Sequence, residues 1–343
     1  MDVGIVGGSG YAGAELLRLL GSHPAFKVRV VAARTAAGRA LPELFPNLAG
    51  VPGLPERLVP VEPGHVDGCD AVFLATPHEA SLELAPSLLG HARTVVDLSG
   101  AFRLDAATFQ AWYGLAHPAP DLTPATYGLP ELLRERLAGA TLVANPGCYP
   151  TAALLALAPL AGLVDPASVV VAGLSGSSGA GGGLRADLHA SHAVGNVAAY
   201  GVPRHRHTPE IEALWASVRG GDRVPVAFVP HLVPMSRGLL CTVSATLGDG
   251  ASARTVVDAY HRAYAAEPFV RLLPDGAWPA TTYVRGSNAA HVGVAVDQRS
   301  ARVTASCAID NLVKGAAGQA IQNANLALGL PEGAGLPAGG VYP

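Results

Sequence analysis

The sequence predicts a two-domain α/β protein, in which a doubly wound parallel-sheet domain precedes an α+β domain. The chain has 343 residues, more than a single hydrophobic core usually spans. A short apolar strand, a glycine loop and a helical pattern follow one another over residues 3–20. The second half alternates apolar strand-like runs with one helical stretch, which is typical of an α+β layer. We predict domains at residues 1–147 and 148–310, with a C-terminal helix at 311–330 that packs back on the first domain.

Composition excludes several classes of function. The formal net charge is -3 and only 14% of the residues are charged, so we expect no nucleic-acid partner. No run approaches about 20 apolar residues and no signal peptide is recognisable, so we expect a cytoplasmic protein without a membrane partner. The four cysteines are far apart and lack metal-ligand spacing, which predicts free thiols and no metal; they are Cys69, Cys148, Cys241 and Cys307.

A glycine loop near the N-terminus predicts a dinucleotide site. The apolar run Val3–Val6 leads into Gly-Gly-Ser-Gly-Tyr-Ala-Gly at 7–13 and then into a helical pattern that ends at Leu20. Glycines at three-residue spacing permit a tight turn, a close approach of the backbone to a pyrophosphate and packing of the helix on the strand. The spacing differs from the commoner G-x-G-x-x-G, but the strand and the helix flank it correctly. The predicted cofactor contacts here are Gly7, Ser9, Gly10, Tyr11, Ala12 and Gly13.

The end of the second strand predicts which dinucleotide is bound. NAD-selective sites usually place an acidic residue there, about 20 residues after the loop, to bind the ribose hydroxyls. This chain has Arg34 and Thr35 instead. An arginine and a hydroxyl suit a 2′-phosphate, so we predict NADP(H). The alternative is that Arg34 is only a solvated residue after a strand.

Two further strand ends are predicted to border a ligand, because ligands bind beyond the carboxyl ends of strands in such sheets. Thr76 and Pro77 follow one strand and are candidate cofactor contacts. Ser99 and Arg103 follow the next and are candidates for an anionic substrate. The alternative for Arg103 is a surface ion pair with Asp105.

The stretch Asn145–Thr151 predicts the chemistry. It lies between a strand-like run and a long Ala/Leu-rich segment, so Cys148 is expected where a strand turns into a helix. Backbone N–H groups and the helix dipole at such a position favour a thiolate and offer donors for an oxyanion. Pro150 fits the first helical position. The alternative is that Cys148 is a small buried hydrophobe.

A histidine cluster in the second half is the predicted acid–base partner of the thiolate. His205 and His207 precede a helix for which Thr208 and Pro209 serve as N-cap and first residue. We predict general acid–base catalysis by one of the two histidines, which the sequence does not distinguish. A metal site is disfavoured because no further ligand has suitable spacing.

The remaining segments predict a sheet and its loops. The strands after residue 225 predict a largely antiparallel or mixed sheet with a helix over 252–266 on one face. The glycine-rich stretch 173–183 is interpreted either as an anion-binding nest or as a flexible lid. Residues 230–238 are expected to form a turn, and the tail from Pro331 is expected to be loose.

Taken together, five motifs resemble the N-acetyl-gamma-glutamyl-phosphate reductase family. They cover nearly the whole chain and lie at residues 7–13, 145–151, 205–211, 230–235 and 310–319. The resemblance implies a Rossmann domain joined to an α+β substrate and dimerisation domain, as in semialdehyde and glyceraldehyde-3-phosphate dehydrogenases. It implies reductive dephosphorylation of an acyl phosphate by NADPH, through a thioester on Cys148, to N-acetyl-L-glutamate 5-semialdehyde and phosphate in arginine biosynthesis. It also implies a homo-oligomer, a dimer or tetramer.

The resemblance also implies roles for individual residues. Cys148 is the nucleophile and a histidine of 205–207 assists it. Further cofactor contacts are expected at Ser178, Gly179 and Asn311, and further substrate contacts at Asn145, Arg206 and Arg237. One departure from the family is Arg185, which stands two residues later than the arginine of relatives. Two alternatives stay open, namely a carrier-bound aminoadipyl-phosphate reductase of lysine biosynthesis and a non-catalytic NADP sensor.

Overall fold

The computed structural model of the protein describes residues 1–342. These residues form two compact units. The first consists of residues 1–147 with 316–336, and the second of residues 148–315 with the C-terminal segment that starts at Pro337. No helix in the described residues is both long and apolar enough to span a membrane.

The first unit is built on a parallel sheet. Its elements up to Gly147 are β1 (Asp2–Val6), α1 (Tyr11–Leu20), β2 (Lys27–Ala32), α2 (Leu41–Leu44), β3 (Cys69–Leu74), α3 (His78–Leu88), β4 (Ala92–Asp97), α4 (Ala106–Tyr113), β5 (Thr126–Tyr127), α5 (Pro130–Leu133) and β6 (Leu142–Ala144). The strand order is β2-β1-β3-β4-β6-β5, and every pairing is parallel. The chain thus winds outward in both directions from β1, which confirms the predicted doubly wound sheet.

The strands of this sheet are buried because their residues are apolar on both faces. In β1 and β3 nearly every residue is buried, as expected where helices cover both sides of a parallel sheet. The stretch between β2 and β3 has little regular structure. It contains α2 and two 3₁₀ turns, at Pro46–Leu48 and Pro63–Val66.

The second unit is built on a mixed sheet. Its elements are α6 (Cys148–Leu157), β7 (Val170–Ser175), α7 (Ala190–Ala193), β8 (Ala198–Ala199), α8 (Thr208–Arg219), β9 (Ala227–Leu232), β10 (Leu239–Thr246), α9 (Ala253–Tyr264), β11 (Val270–Leu272), β12 (Ala290–Asp297) and β13 (Arg302–Ile309). The order is β11-β12-β13-β10-β7-β9-β8, with parallel pairs β7–β9 and β11–β12 among antiparallel ones. The predicted mixed sheet is confirmed, and α6 packs on it.

The last helix belongs to the first unit. A single π-helical turn, Val313–Ala317, precedes α10 (Gly318–Ala327), which is buried along almost its whole length. The tail beyond α10 is not loose as expected. Glu332 accepts hydrogen bonds from Gln322 Nε2 at 2.7 Å and from Arg134 Nε at 2.9 Å, and Asn325 Nδ2 donates to its backbone carbonyl at 3.0 Å.

Candidate active site

The glycine loop connects β1 to α1 where the backbone leaves no room for side chains. Gly7 has φ of 88°, and a Cβ there would lie 2.3 Å from the carbonyl oxygen of Ala75. A Cβ on Gly13 would lie 2.7 Å from the carbonyl oxygen of Gly7. Helix α1 begins at Tyr11, and the N-cap Gly10 provides no side-chain cap. The first-turn N–H groups are therefore available to an anion, as a pyrophosphate site requires.

The other predicted cofactor residues of the first unit lie at the same edge of the sheet. Arg34 and Thr35 are exposed just after β2, and Thr76 and Pro77 follow β3. Because β1 lies between β2 and β3, all three strand ends meet at one edge with the glycine loop. Thr76 Oγ1 lies 2.7 Å from Ser81 Oγ, and Pro77 is the N-cap of α3.

Ser99 and Arg103 are buried beyond the end of β4. Ser99 Oγ donates to the carboxylate of Asp97 at 2.7 Å, and burial raises the pKa of that carboxyl. Arg103 donates from Nε to the carbonyl oxygen of Asn145 at 2.7 Å and from its terminal nitrogen to that of Leu98 at 2.8 Å. The guanidinium thus ties two strand ends together.

These contacts correct the expected surroundings of two substrate candidates. Arg103 is only 8% exposed, so it is not the surface residue that the alternative described; Asp105 caps α4. The amide of Asn145 is fully buried, donates to the carbonyl oxygen of Ala316 at 3.2 Å and accepts from Asn323 Nδ2 at 3.0 Å. The side chains of Arg103 and Asn145 are both hydrogen-bonded to other groups of the protein.

Cys148 lies where the sequence predicted, at the turn from a strand to a helix. β6 ends at Ala144 and Cys148 is the first residue of α6. Its side chain is partly exposed, whereas the other three cysteines are buried. Pro150 is the third helical residue and not the first, because α6 begins two residues earlier than expected. It still lies in the first turn, where a backbone N–H has no helical partner.

The ring of Tyr149 joins Cys148 to the histidine cluster. Tyr149 follows Cys148 in the chain, and its ring centroid lies 5.7 Å from that of His205 and 6.0 Å from that of His207. The two imidazoles are 4.9 Å apart. The ring of Phe228 also belongs to this cluster, with its centroid 5.4 Å from that of His205. The tertiary structure therefore gathers the predicted histidines around the residue next to the thiol.

His205 has a defined protonation state. Its Nδ1 accepts a hydrogen bond from the backbone N–H of His207 at 3.1 Å, so the neutral ring carries its proton on Nε2. Burial, and secondarily the charge of Arg206, lowers the pKa of His205 to about 4. The expected cap is shifted by one residue: His207 is the N-cap and Thr208 is already helical, because His207 has helical backbone angles.

Two tyrosines near the histidines were not predicted as site residues. The hydroxyl of Tyr200 donates to that of Tyr149 at 3.2 Å, and Tyr149 donates to the carbonyl oxygen of His231 at 3.0 Å. Burial raises the pKa of both phenols, so both stay protonated donors. The adjacency of Tyr149 to Cys148 was a usable signal; the contact with Tyr200 depends on chain folding over about 50 residues, which no local pattern predicts.

Asn311 and Ser178, both predicted cofactor residues, are in contact in the second unit. Asn311 Nδ2 donates to Ser178 Oγ at 2.9 Å, and its Oδ1 accepts from the backbone N–H of Gly238 at 2.7 Å. A Cβ on Gly179 would lie 3.7 Å from the same amide nitrogen. The amide of Asn311 is thereby held in one orientation.

The first half of the glycine-rich stretch is not an anion nest. Its first three residues extend β7, and a 3₁₀ turn follows at Ser177–Ala180. The N–H groups of Gly176, Ser177 and Ser178 donate to carbonyl oxygens of residues 235–238, at 2.9 to 3.1 Å. Consecutive donors that are already used cannot hold an anion. The expected turn at 230–238 is also shorter, because β9 continues to Leu232.

Of the arginines predicted or considered for the substrate in this unit, Arg237 is paired and Arg206 is exposed. Arg237 forms two 3.1 Å hydrogen bonds to the carboxylate of Asp310, which is fully buried. Arg185, whose displacement separates this chain from relatives, forms a surface pair with Asp187. Arg206 lies exposed between the two histidines.

Two family models match successive parts of the chain. The semialdehyde dehydrogenase NAD binding domain matches residues 2–140, and the semialdehyde dehydrogenase dimerisation domain matches residues 148–311. Solved structures agree with this assignment of the fold. Aspartate semialdehyde dehydrogenase II of Vibrio cholerae matches with a TM-score of 0.73 and 18% identity, over 95% of this chain and 97% of that one. The Candida albicans enzyme, solved with NADP, matches with a TM-score of 0.68 and 17% identity, over 96% and 99%.

The fold and the cysteine turn thus define a two-domain protein of the semialdehyde dehydrogenase class, which confirms the predicted fold class. Curated relatives make the assignment narrower. Proteins of Geobacter sp. (strain M21) and Desulforamulus reducens, at 46% and 45% identity over the full length of both chains, are named N-acetyl-gamma-glutamyl-phosphate reductase. One from Symbiobacterium thermophilum, at 47% identity over 99% of both chains, has the same name. The chain belongs to the N-acetyl-gamma-glutamyl-phosphate reductase family.

Proposed function

We propose that this protein reduces N-acetyl-gamma-glutamyl phosphate with NADPH to N-acetyl-L-glutamate 5-semialdehyde and phosphate, a step of arginine biosynthesis. The observation that carries the proposal is the position of Cys148 at the start of α6, beside a tyrosine whose ring contacts two histidines. A nucleophile next to an acid–base group is the arrangement that acyl transfer requires. Full-length identity of 46% to a relative of this name supports the substrate.

The glycine loop fits NADP(H) in the first unit. A Cβ would collide with backbone at Gly7 and Gly13, so glycines permit the tight turn, and the uncapped start of α1 offers N–H groups for the pyrophosphate. Ser9, Tyr11 and Ala12 belong to the same segment and would contact the pyrophosphate, and exposed Arg34 and Thr35 would bind the 2′-phosphate. Thr76 and Pro77 border the same edge. When bound, NADPH supplies the hydride that reduces the thioester.

The covalent steps follow from the residues around Cys148. The thiolate forms a C–S bond to the acyl carbon, and the C–O bond to phosphate breaks with its electron pair leaving on phosphate. The N–H groups at 148 and 149 hold the oxyanion. The proton of the thiol passes through a histidine to the departing phosphate. After reduction the C–S bond breaks, which releases the aldehyde and leaves a thiolate, and one proton taken up from solvent through the histidine completes the cycle.

We assign different roles to the two histidines. With Nδ1 accepting from the backbone and a pKa of about 4, His205 is neutral at physiological pH and offers one donor, Nε2–H. A neutral imidazole of this kind stabilises developing charge by donating a hydrogen bond. His207 is then the group that carries the proton. Arg206, exposed between them, is the proposed contact for an anionic group of the substrate.

The remaining predicted contacts are assigned one cofactor role and two positioning roles. The amide of Asn311, oriented by Gly238 and Ser178, is the proposed contact for the nicotinamide. Arg103 and Arg237 have their guanidinium groups engaged by carbonyl oxygens and by Asp310. We therefore propose that these two arginines position the backbone around the substrate and do not bind its phosphate.

We propose a homodimer that pairs through the second sheet. Along β10 the side chains alternate between buried and half-exposed, and the buried set includes Cys241, whose Sγ lies 3.7 Å from the carbonyl oxygen of Tyr149 on α6. The opposite face presents Thr242 and Ser244, with Val170 of β7 42% exposed. The small side chains of Thr242 and Ser244 leave room for an identical partner to approach this face closely. Thr242→Arg should yield monomers in analytical ultracentrifugation.

We also propose a cytoplasmic location, because no cysteine in the described residues is in a disulfide.

The decisive experiment is a phosphate- or arsenate-dependent NADP reduction assay. It compares N-acetylglutamate semialdehyde, the free amino semialdehyde and aminoadipate semialdehyde. We expect activity confined to the N-acetyl five-carbon substrate and abolished in Cys148→Ser, with NADP binding retained. Preference for the six-carbon substrate would move the protein to lysine biosynthesis. Turnover retained in Cys148→Ser would reject the thioester, and no activity with any substrate would favour an NADP sensor.

A further inference from the structure

A close contact between the π-helical turn and Cys148 points to a residue that positions the nucleophile. Gly315 is buried, and a Cβ at this position would lie 2.7 Å from the Cβ of Cys148 and 3.2 Å from its Cα. Real Cβ atoms do not approach other atoms so closely. The Cβ of a cysteine is fixed to the backbone, so it cannot swing aside as a long side chain does.

The π-helical turn is what brings Gly315 to this place. The backbone N–H of Gly315 donates to the carbonyl oxygen of Asp310 at 3.0 Å, an i to i−5 bond that closes a wider ring than an α-helical bond. Such single π turns are frequent at functional sites. Gly315 does not have positive φ, so a glycine is needed here for space and not for backbone freedom.

The start of this turn is anchored by a buried carboxylate. Asp310, fully buried, accepts two hydrogen bonds from Arg237, one from the N–H of Gly286 at 2.6 Å and one from the N–H of Leu312 at 2.8 Å. A carboxylate with this many donors holds the segment after β13 in one conformation. The backbone of Gly315 is therefore held in place where it packs against Cys148.

We propose that Gly315 is a positioning residue, whose missing side chain lets the backbone of the π turn fix the direction of the Cys148 thiol. The proposal rests on the proposed thioester chemistry of Cys148. A methyl group at 315 has to displace Cβ of Cys148 by several tenths of an ångström, and the thiol moves with it. Displacements near 1 Å at a reacting group cost about 100-fold in rate.

The test is Gly315→Ala, compared with Gly339→Ala, which has open space around the added Cβ and also no positive φ. We expect kcat of Gly315→Ala to fall about 10- to 100-fold with KM for NADPH unchanged. The rate constant for alkylation of Cys148 by iodoacetamide, followed by peptide mass spectrometry, should fall as well. Gly339→Ala should match the parent protein in both.

A second variant separates this proposal from simple crowding of the core. The added Cβ would also lie 3.3 Å from Cδ1 of Ile309, an atom that Ile309→Val removes. We expect the double variant Gly315→Ala/Ile309→Val to stay as impaired as the single one. Recovery of both rates in the double variant, or unchanged alkylation and kcat in Gly315→Ala, would overturn the proposal. Because alkylation requires no turnover, it tests Gly315 even if the proposed substrate is wrong.

Discussion

His205 accepts a hydrogen bond at Nδ1 from the backbone N–H of His207, with the two nitrogen atoms 3.1 Å apart. The sequence does not distinguish the two histidines of this cluster. The hydrogen bond does, because only one of the two imidazoles accepts it. Nδ1 of His205 is occupied by a donor, so its lone pair is not free to take a proton from a substrate. The Nε2–H group of His205 is then the polar group of the ring that is left to donate to a substrate.

Substitutions at His205 should therefore depend on which nitrogen the new side chain mimics. The amide nitrogen of glutamine lies near the place of Nε2, and that of asparagine near Nδ1. We expect His205→Gln to keep kcat within about 10-fold of the parent, and His205→Asn to lose about 100-fold or more. His207→Gln, which removes the proposed proton carrier, should lose about 100- to 10,000-fold. Equal losses in His205→Gln and His205→Asn, measured by steady-state kinetics, would contradict the assigned role.

The pH–rate profile should not show His205 above about pH 5. Its pKa is lowered to about 4, so the ring is neutral throughout the physiological range and is protonated only as pH falls through that value. Any acidic limb of kcat near pH 6 to 7 must then belong to another group and persist in His205→Gln. Profiles of both proteins between pH 5 and 8.5, with circular dichroism to check folding, measure this. Disappearance of the limb in the variant would contradict the prediction.

His23 should make the first unit sensitive to acid. Its Nδ1 accepts from the N–H of Phe26 at 2.8 Å, its Nε2 lies 3.2 Å from Asn325 Oδ1, and burial lowers its pKa below the usual 6.5. The unfolded chain then binds the proton more readily, so this contribution to stability is complete above pH 6.5 and declines below it. We expect His23→Gln to flatten the fall of Tm between pH 6.5 and 5, whereas exposed His261→Gln should not. If the fall of Tm between pH 6.5 and 5 were unchanged in His23→Gln, His23 would not be the cause of the acid sensitivity.

Arg103 should contribute to stability and not mainly to substrate affinity. It is buried and donates to the carbonyl oxygens of Asn145 and Leu98, so Arg103→Ala leaves buried acceptors without partners. We expect a loss of about 2–4 kcal/mol in the free energy of unfolding. Arg299→Ala, which removes an exposed pair with Asp297, should leave the free energy of unfolding nearly unchanged. If Arg103→Ala raised KM for the acyl substrate without lowering Tm, direct substrate binding would be the better explanation.

Arg34 should decide the preference for NADPH. It is exposed at the end of β2, beside the glycine loop, where a 2′-phosphate would lie. We expect Arg34→Ala to raise KM for NADPH about 10- to 100-fold, the worth of one charge-assisted hydrogen bond, and to leave KM for NADH nearly unchanged. Arg39→Ala, a nearby exposed arginine, is the matched control. If the two substitutions raised KM for NADPH equally, Arg34 would not be a specific contact of the cofactor.

Several elements were determined by the sequence alone, because local chemistry requires them. The order of strand, glycine loop and helix at residues 2–20 follows from apolar periodicity and from glycines that no other residue can replace. The turn at Cys148 follows in the same way from a strand-like run, a Pro-Gly pair and a helical run. Helix ends were less accurate, by one residue at Thr208 and two at Pro150, since capping depends on backbone angles that neighbouring packing sets.

Tertiary structure alone decided what each polar side chain does. Arg103 and Arg237 have the residue type of anion binders, but folding buries one under two carbonyl oxygens and pairs the other with Asp310. His205 and His207 are equivalent in sequence, and a single backbone hydrogen bond distinguishes them. The contact of Gly315 with Cys148 joins residues 167 positions apart. Sequence patterns encode local backbone preference and burial; partners of buried polar groups depend on which distant segments meet, and that is fixed only when the chain has folded.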